Sequence, residues 1–541
     1  MPSMVENAAP RTNLTVIADV LPDPGLGASR LNYYLAIATV LFCLWLFQSG
    51  KQKCGVAAPF YKASRLKWMF SADKLIMDSY SKFRDTVYQI KTTEGIRTII
   101  PASLIGELKG LPEDTLSARI AVREAMLSEY TELCAGDHAD TLSLLLKCKM
   151  TGQLARMVPQ LKDELEHILA TEFPDCQDWT PFKIQPFMVR TVARLSGRVF
   201  VGPALSRAEE WLDVSINFAV TAFIAVTKLQ LFPPWMRPAA RRLVPELGAI
   251  QRDLERARAM LAPVIERRLH LERQQQDFGD DDYDYEKPDD FVQWLLDALP
   301  ADQKTDYRAQ AKLQLLLSAA SIHTTSNLTT DCIYDLAVHQ DLQEELRAEA
   351  REVLGDGDDP AAWARGDSLH RLAKLDSFIK ESQRLSGNVT SFIRKVTRPI
   401  DLSDGTHLPA GTNLLAPMAG IARDARYYAA PEAFDGLRFW KLRQQQTPTQ
   451  PPSPCGSGSS GGGKWQFTST GDASLNFGLG RHACPGRFFA GAEIKLVLAH
   501  LLLRYDLRLP AGAPRPAPTM FMMTRCPSTT AEVLFRRRGG A

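Results

Sequence analysis

A mainly α-helical body with a minor β subdomain, preceded by a single membrane-spanning helix, is the fold class that the sequence predicts. Three observations predict it. Residues 31–50 form an uncharged, mostly apolar run of 20 residues. Leu/Ala/Arg/Glu-rich stretches with helical spacing fill 117–172, 204–230, 239–274 and 308–353. Strand-like runs are short and few, at 87–90, 97–101, 391–397 and 413–418.

The first element is the run at 31–50. At about 1.5 Å per residue it matches a hydrocarbon core of about 30 Å. Tyr33, Tyr34 and Trp45 are placed to meet the interfaces. Arg11 and Arg30 precede the run, whereas Lys51, Lys53, Lys62, Arg65 and Lys67 follow it. The excess of cations afterwards puts that side in the cytoplasm. The boundaries are then 1–30 as a lumenal segment, 31–50 as the anchor and 51–541 as one cytosolic body. Asn13-Leu14-Thr15 is a glycosylation sequon on the lumenal side, with Asn13 as acceptor. The sequons at Asn327 and Asn388 fall on the cytosolic side, where they have no role.

The body has ordinary globular composition, with 45% hydrophobic and 23% charged residues in 541, which excludes the disordered class. A net charge of +2 without a basic block gives no reason to expect nucleic acid. Nine widely spaced cysteines fit neither a disulfide framework nor a zinc ribbon. Residues 315–340 lack Pro and Gly and read as one long helix. Residues 214–227 are uncharged and too short to span a bilayer; they read either as a pocket lid dipping into the membrane or as plain core. Two inserts, an acidic one at 277–290 and a Gln/Pro/Ser/Gly-rich one at 444–463, read as surface loops.

The most informative segment is Phe477-Gly478-Leu479-Gly480-Arg481-His482-Ala483-Cys484-Pro485-Gly486-Arg487, which leads into an apolar helical stretch. Its glycines permit tight turns and close approach to a flat ligand. Pro485 suits the first turn of a helix. Cys484 then sits at a helix N-terminus, where free N–H groups favour a thiolate. Such a cysteine serves equally as a nucleophile, a redox sensor or a metal ligand, and composition does not decide among these.

The segment resembles the cytochrome P450 signature Phe-x-x-Gly-x-(Arg/His)-x-Cys-x-Gly. Phe477, Gly480, His482, Cys484 and Gly486 fill its fixed positions. The resemblance implies a heme whose iron is held by Cys484, with Phe477 packed nearby and His482 on a propionate. The other elements follow in family order. Glu381 and Arg384 resemble the Glu-x-x-Arg pair, with Arg438 as third member of a structural ion cluster. Arg394 resembles the second propionate-binding arginine. Ala320-Ser321-Ile322-His323-Thr324-Thr325 resembles the oxygen-activation motif, with Thr324 beside the dioxygen site. Ser321 there replaces a glycine and His323 replaces an acid. Ser321 is expected to bond back to a carbonyl one turn earlier. His323 either relays protons or packs between helices. A Trp-x-x-x-Arg element is missing; the region 147–156 stands in its place without a named residue.

Together these motifs resemble filamentous-fungal members that tailor secondary metabolites. The resemblance implies an endoplasmic-reticulum, single-pass, heme-dependent monooxygenase. It implies a lipophilic substrate, a terpenoid or other secondary metabolite, and electrons from NADPH through NADPH-cytochrome P450 reductase. The readings kept beside it are a heme-thiolate desaturase, epoxidase or multistep oxidase, a non-catalytic heme-binding sensor, and a thiol enzyme without heme.

Overall fold

Among the described residues, the helices that set the architecture are α1 (Arg65–Lys82), α2 (Leu154–Glu172), α3 (Ile184–Phe200), α4 (Glu209–Gln230), α5 (Pro245–Phe278), α6 (Tyr307–Val338), α7 (Gln340–Leu354), α8 (Ala373–Ser386), α9 (Arg438–Gln444) and α10 (Arg487–Arg504). The computed structural model describes residue 37, residues 55–278, 285–445 and 463–539. The anchor at 31–50 (apart from Ile37, which is helical), Asn13, most of the 444–463 insert and residues 279–284 of the 277–290 insert therefore lie outside the described residues.

Helix α6 is the axis of the fold. Asp306 caps it by accepting the Ala309 N–H at 2.9 Å. Its side chains are buried nearly all round, from Ala311 and Leu315 to Ile333 and Leu336. A helix apolar on every side has to sit inside the protein, and α6 packs against α3, α4, α5, α8 and α10. It differs from the expected 315–340 helix at both ends. It starts at Tyr307, about two turns earlier, and it stops at Val338 because His339 is non-helical at φ −100°, ψ 68°. The 117–172 stretch also differs from one continuous run. Leu127 and Glu132 take positive φ angles of 48° and 61°, and the chain breaks into short helices before α2 begins.

Helix α4 holds the uncharged 214–227 run and is, by length and composition, able to cross a membrane. Its inner face (Val214, Phe218, Ala222, Ala225 and Leu229) is buried, against α5 and α6. Phe223, Leu231 and Trp235 remain exposed.

All four strand-like runs lie in one six-stranded sheet. Its strands are β1 (Phe60–Tyr61), β2 (Tyr88–Thr92), β3 (Gly95–Ile99), β4 (Leu116–Ser117), β5 (Ser391–Val396) and β6 (Asn413–Ala416). The spatial order is β1-β2-β3-β6-β5-β4. The β5–β6 register slips between Ser391 and Arg394, and Phe392 within the slip has φ +55°. A bulge of this kind re-aims the side chains that follow it.

Candidate active site

The chain reaches Cys484 through two left-handed glycines. Gly478 and Gly480 both have φ +68°, and a Cβ on Gly480 would stand 2.6 Å from the Lys109 carbonyl oxygen. A 3₁₀ turn, Gly480–His482, follows. The Cys484 N–H donates to the Phe477 carbonyl at 2.7 Å, which closes the loop. Phe477 meets Phe467 edge-on at 5.1 Å between ring centres. Helix α10 starts at Arg487 with Gly486 as its cap, so Pro485 lies just ahead of the first turn rather than in it. Burial pushes the Cys484 thiol up, while the N–H groups of Gly486 and Arg487 and the Arg487 charge pull it down. Gly480→Ala is expected to cost about 2 kcal/mol in a denaturant titration, from left-handed backbone strain plus an immovable carbonyl. Gly471→Ala, which meets nothing within 4 Å, is expected to change stability by no more than about 0.5 kcal/mol.

Arg394 leaves the bulged strand buried, and its guanidinium lies over the Phe392 ring at 4.4 Å. It donates to its neighbour's Ile393 carbonyl at 2.8 Å. Among the described residues no carboxylate pairs with it, and burial lowers its pKa to about 10. His482 Nε2 lies 2.8 Å from Glu113 Oε2. Burial, then the Arg394 charge, lowers the His482 pKa. The three groups thus form one patch, in which the buried Arg394 feels the Glu113 charge but makes no ion pair with it.

Behind the loop, α8 carries a clasp. Glu381 is fully buried and accepts Arg384 at 2.7 and 2.8 Å, Arg438 at 3.1 Å and the Asp435 N–H at 3.0 Å. The two arginines spend their remaining donors on the carbonyls of Ala422, Ala429, Ala430, Pro431 and Ala433. Next to Glu381, Lys380 holds the other loop, donating to Gln466 O at 2.8 Å and Ser469 Oγ at 3.1 Å. One turn earlier, Asp376 accepts Arg443 and the Phe467 N–H, both at 2.8 Å, and pairs with Lys495 at 2.7 Å.

On α6, Ala320 and Thr324 are exposed although Ser318, Ile322 and Thr325 around them are buried. A notch therefore opens within the core. Thr324 Oγ1 donates to Ala320 O at 2.7 Å. The back-bond expected of Ser321 is made by Thr324 instead, because Ser321 Oγ has a partner on α3, Ser196 Oγ at 2.9 Å. His323 Nε2–H donates to Ile216 O on α4 at 2.9 Å, and burial lowers its pKa. That bond ties α6 to α4. Among the described residues no hydrogen bond runs directly between the Thr324 face and the Cys484 loop.

A heme with a cysteine ligand fits these residues. The unpaired Arg394 matches a propionate, the glycines leave room beside Lys109, and the notch at Ala320 and Thr324 is open. In the region that replaces the missing arginine motif, Met150 lies 3.9 Å from where a Gly486 Cβ would stand. The sequence reading missed Glu113, Lys380, Ser196 and Glu493. For Glu493 the signal was a lone carboxylate in the apolar α10; for Ser196 there was none.

Residues 143–535 match the family model for cytochrome P450. The chain is 34% identical to "Cytochrome P450 monooxygenase AN1598" of Emericella nidulans over 523 residues, covering 94% of this chain and 93% of that protein. It is 33% identical to "Cytochrome P450 monooxygenase olcJ" of Penicillium canescens, covering 94% of each. The fold resembles that of a cyanobacterial P450 solved with retinoic acid bound, CYP120A1, with a TM-score of 0.64 at 17% identity, over 89% of this chain and 99% of that one.

Proposed function

The chain belongs to the cytochrome P450 family, and from that premise we propose that it is a fungal-type monooxygenase that oxidises a lipophilic secondary metabolite, with Cys484 as the heme ligand. The family makes it an oxygen-incorporating oxidoreductase that carries heme on a cysteine thiolate and takes electrons from a redox partner. Beyond the family, the reading is that the substrate is a terpenoid or related metabolite, that NADPH-cytochrome P450 reductase is the donor, and that the chain sits in the endoplasmic reticulum membrane.

The observation that carries the site assignment is the Cys484 loop, with its thiol at the head of α10 under the N–H groups of Gly486 and Arg487. Bound there, heme supplies activation of dioxygen, favoured by electron donation from the thiolate. Arg394 and His482 would meet its carboxylates, and the one on His482 would compete with Glu113. Thr324 spends its proton on Ala320 O, so its lone pairs face the notch and can orient a proton donor there. His323, committed to Ile216, serves to hold α4 on α6 rather than to pass protons. The exposed Phe223, Leu231 and Trp235 support a membrane-facing entrance for an apolar substrate.

The test is turnover of lipophilic host extracts by the purified enzyme with the reductase, NADPH and isotopically labelled dioxygen. One labelled oxygen atom per product molecule is the expected result. Products that lack hydrogens but carry no label would favour the desaturase reading. Absence of any NADPH-dependent oxygen consumption would favour the heme-binding sensor.

A further inference from the structure

We propose that Glu493, Ser196 and Ser321 form an internal proton path, running α10–α3–α6, that feeds the notch at Thr324; the proposal rests on the P450 reading above. Glu493 is fully buried in the helix that Cys484 leads into. Its Oε1 accepts the Ser196 hydroxyl at 2.9 Å. Ser196 Oγ in turn lies 2.9 Å from Ser321 Oγ. Ser321 and Thr324 are neighbours one turn apart on α6. Glu493 Oε2 has no partner among the described residues. A buried carboxylate with half its lone pairs unmet is costly, and holding a proton removes most of that cost. Among the described residues no charged group acts on it, and burial pushes its pKa up to about 8.

The usual acid of the oxygen-activation motif is His323 here, and His323 is turned to Ile216. Ser321, in the place of a glycine, supplies the hydroxyl that carries the Ser196 contact onto α6. A glycine at 321 would end the chain of hydroxyls on α3. The transfer balances simply. At rest the Ser196 hydroxyl points to Glu493 and that of Ser321 to Ser196; both rotate, the proton on Glu493 Oε1 passes to Ser196 Oγ, that of Ser196 to Ser321 Oγ, and that of Ser321 to a water admitted at the notch. Each hydroxyl loses one proton and gains one, no electrons move along the path, and the Glu493 carboxylate, sealed from solvent, takes its proton back along the same hydroxyls from the notch between turnovers. Ser196 and Ser321 act as carriers and Glu493 as the store.

The test uses holoenzyme with its reductase and NADPH, comparing wild type with Glu493→Gln, Ser196→Ala and Ser321→Ala. Infrared spectra of the resting protein at neutral pH are expected to show a buried, protonated-carboxyl stretch. That band should vanish in Glu493→Gln and shift in Ser196→Ala. Product formed per NADPH should fall in all three variants, by roughly 10²-fold at most, the low end of what a positioned acid contributes, with peroxide making up the difference. The double variant Glu493→Gln/Ser196→Ala should be no worse than the more impaired single variant, because both interrupt one path. Absence of the carboxyl band, or wild-type coupling in a Glu493→Gln protein with a normal carbon-monoxide spectrum, overturns the path. A wild type without a thiolate-type carbon-monoxide spectrum fails the Cys484 assignment instead, and takes the path with it.

Discussion

Cys484→Ala is expected to abolish the thiolate-type Soret band of the reduced, carbon-monoxide-bound protein, and product formation with it. Alanine offers no lone pair to the iron. The neighbours that converge on the sulfur, the Gly486 and Arg487 N–H groups, cannot substitute, because they are donors. The loss should be chemical rather than structural. Cys484 is only half-buried, and its backbone bond to Phe477 does not depend on the side chain. Stability of the apo fold should therefore change by about 1 kcal/mol or less. The measurement is a carbon-monoxide difference spectrum beside a thermal melt of the same preparation. A band that survives in the alanine variant would remove Cys484 as the ligand.

Glu381→Ala is expected to do the reverse, destroying the fold before the chemistry is reached. The carboxylate receives two arginines and a backbone N–H with none of its surface exposed. Removing one partner of a buried ionic cluster costs about 3–5 kcal/mol, and here two cations are left behind. That loss is comparable with the whole stability of many domains, roughly 5–15 kcal/mol. The expected result is protein that is insoluble or lacks heme, with a denaturation midpoint far below wild type where it can be measured. Arg438→Lys should be milder, because one charge remains although the forked contacts to Ala429 and Ala433 are lost.

What could be read in the sequence was whatever repeats at short range. The four strand runs reappear in one sheet with bounds shifted by one or two residues, because alternation and β-branched residues are local signals. The Cys484 loop and the Glu381–Arg384 pair were legible for the same reason, each lying within one turn or one loop. Arg438 was found by family order, and Glu381 does receive it. Other features required the third dimension. Ser321 has its partner Ser196 on another helix, so a local rule for serine sent its bond to the wrong acceptor. His323 had two readings, and only the position of Ile216 on α4 shows where its ring nitrogen goes. The break of α6 at His339 carries no Pro or Gly to announce it.

Asp376 has a consequence for how this chain tolerates change in length. It accepts Arg443, just before residues 446–462, and the Phe467 N–H just after them. Both borders of that segment are therefore moored to one carboxylate on α8, which Lys495 of α10 also grips. Each doubling of a loop's length costs only about 0.6 kcal/mol in closure entropy. A change of length between 446 and 462 therefore leaves Arg443 and the Phe467 N–H able to keep Asp376 as their common anchor.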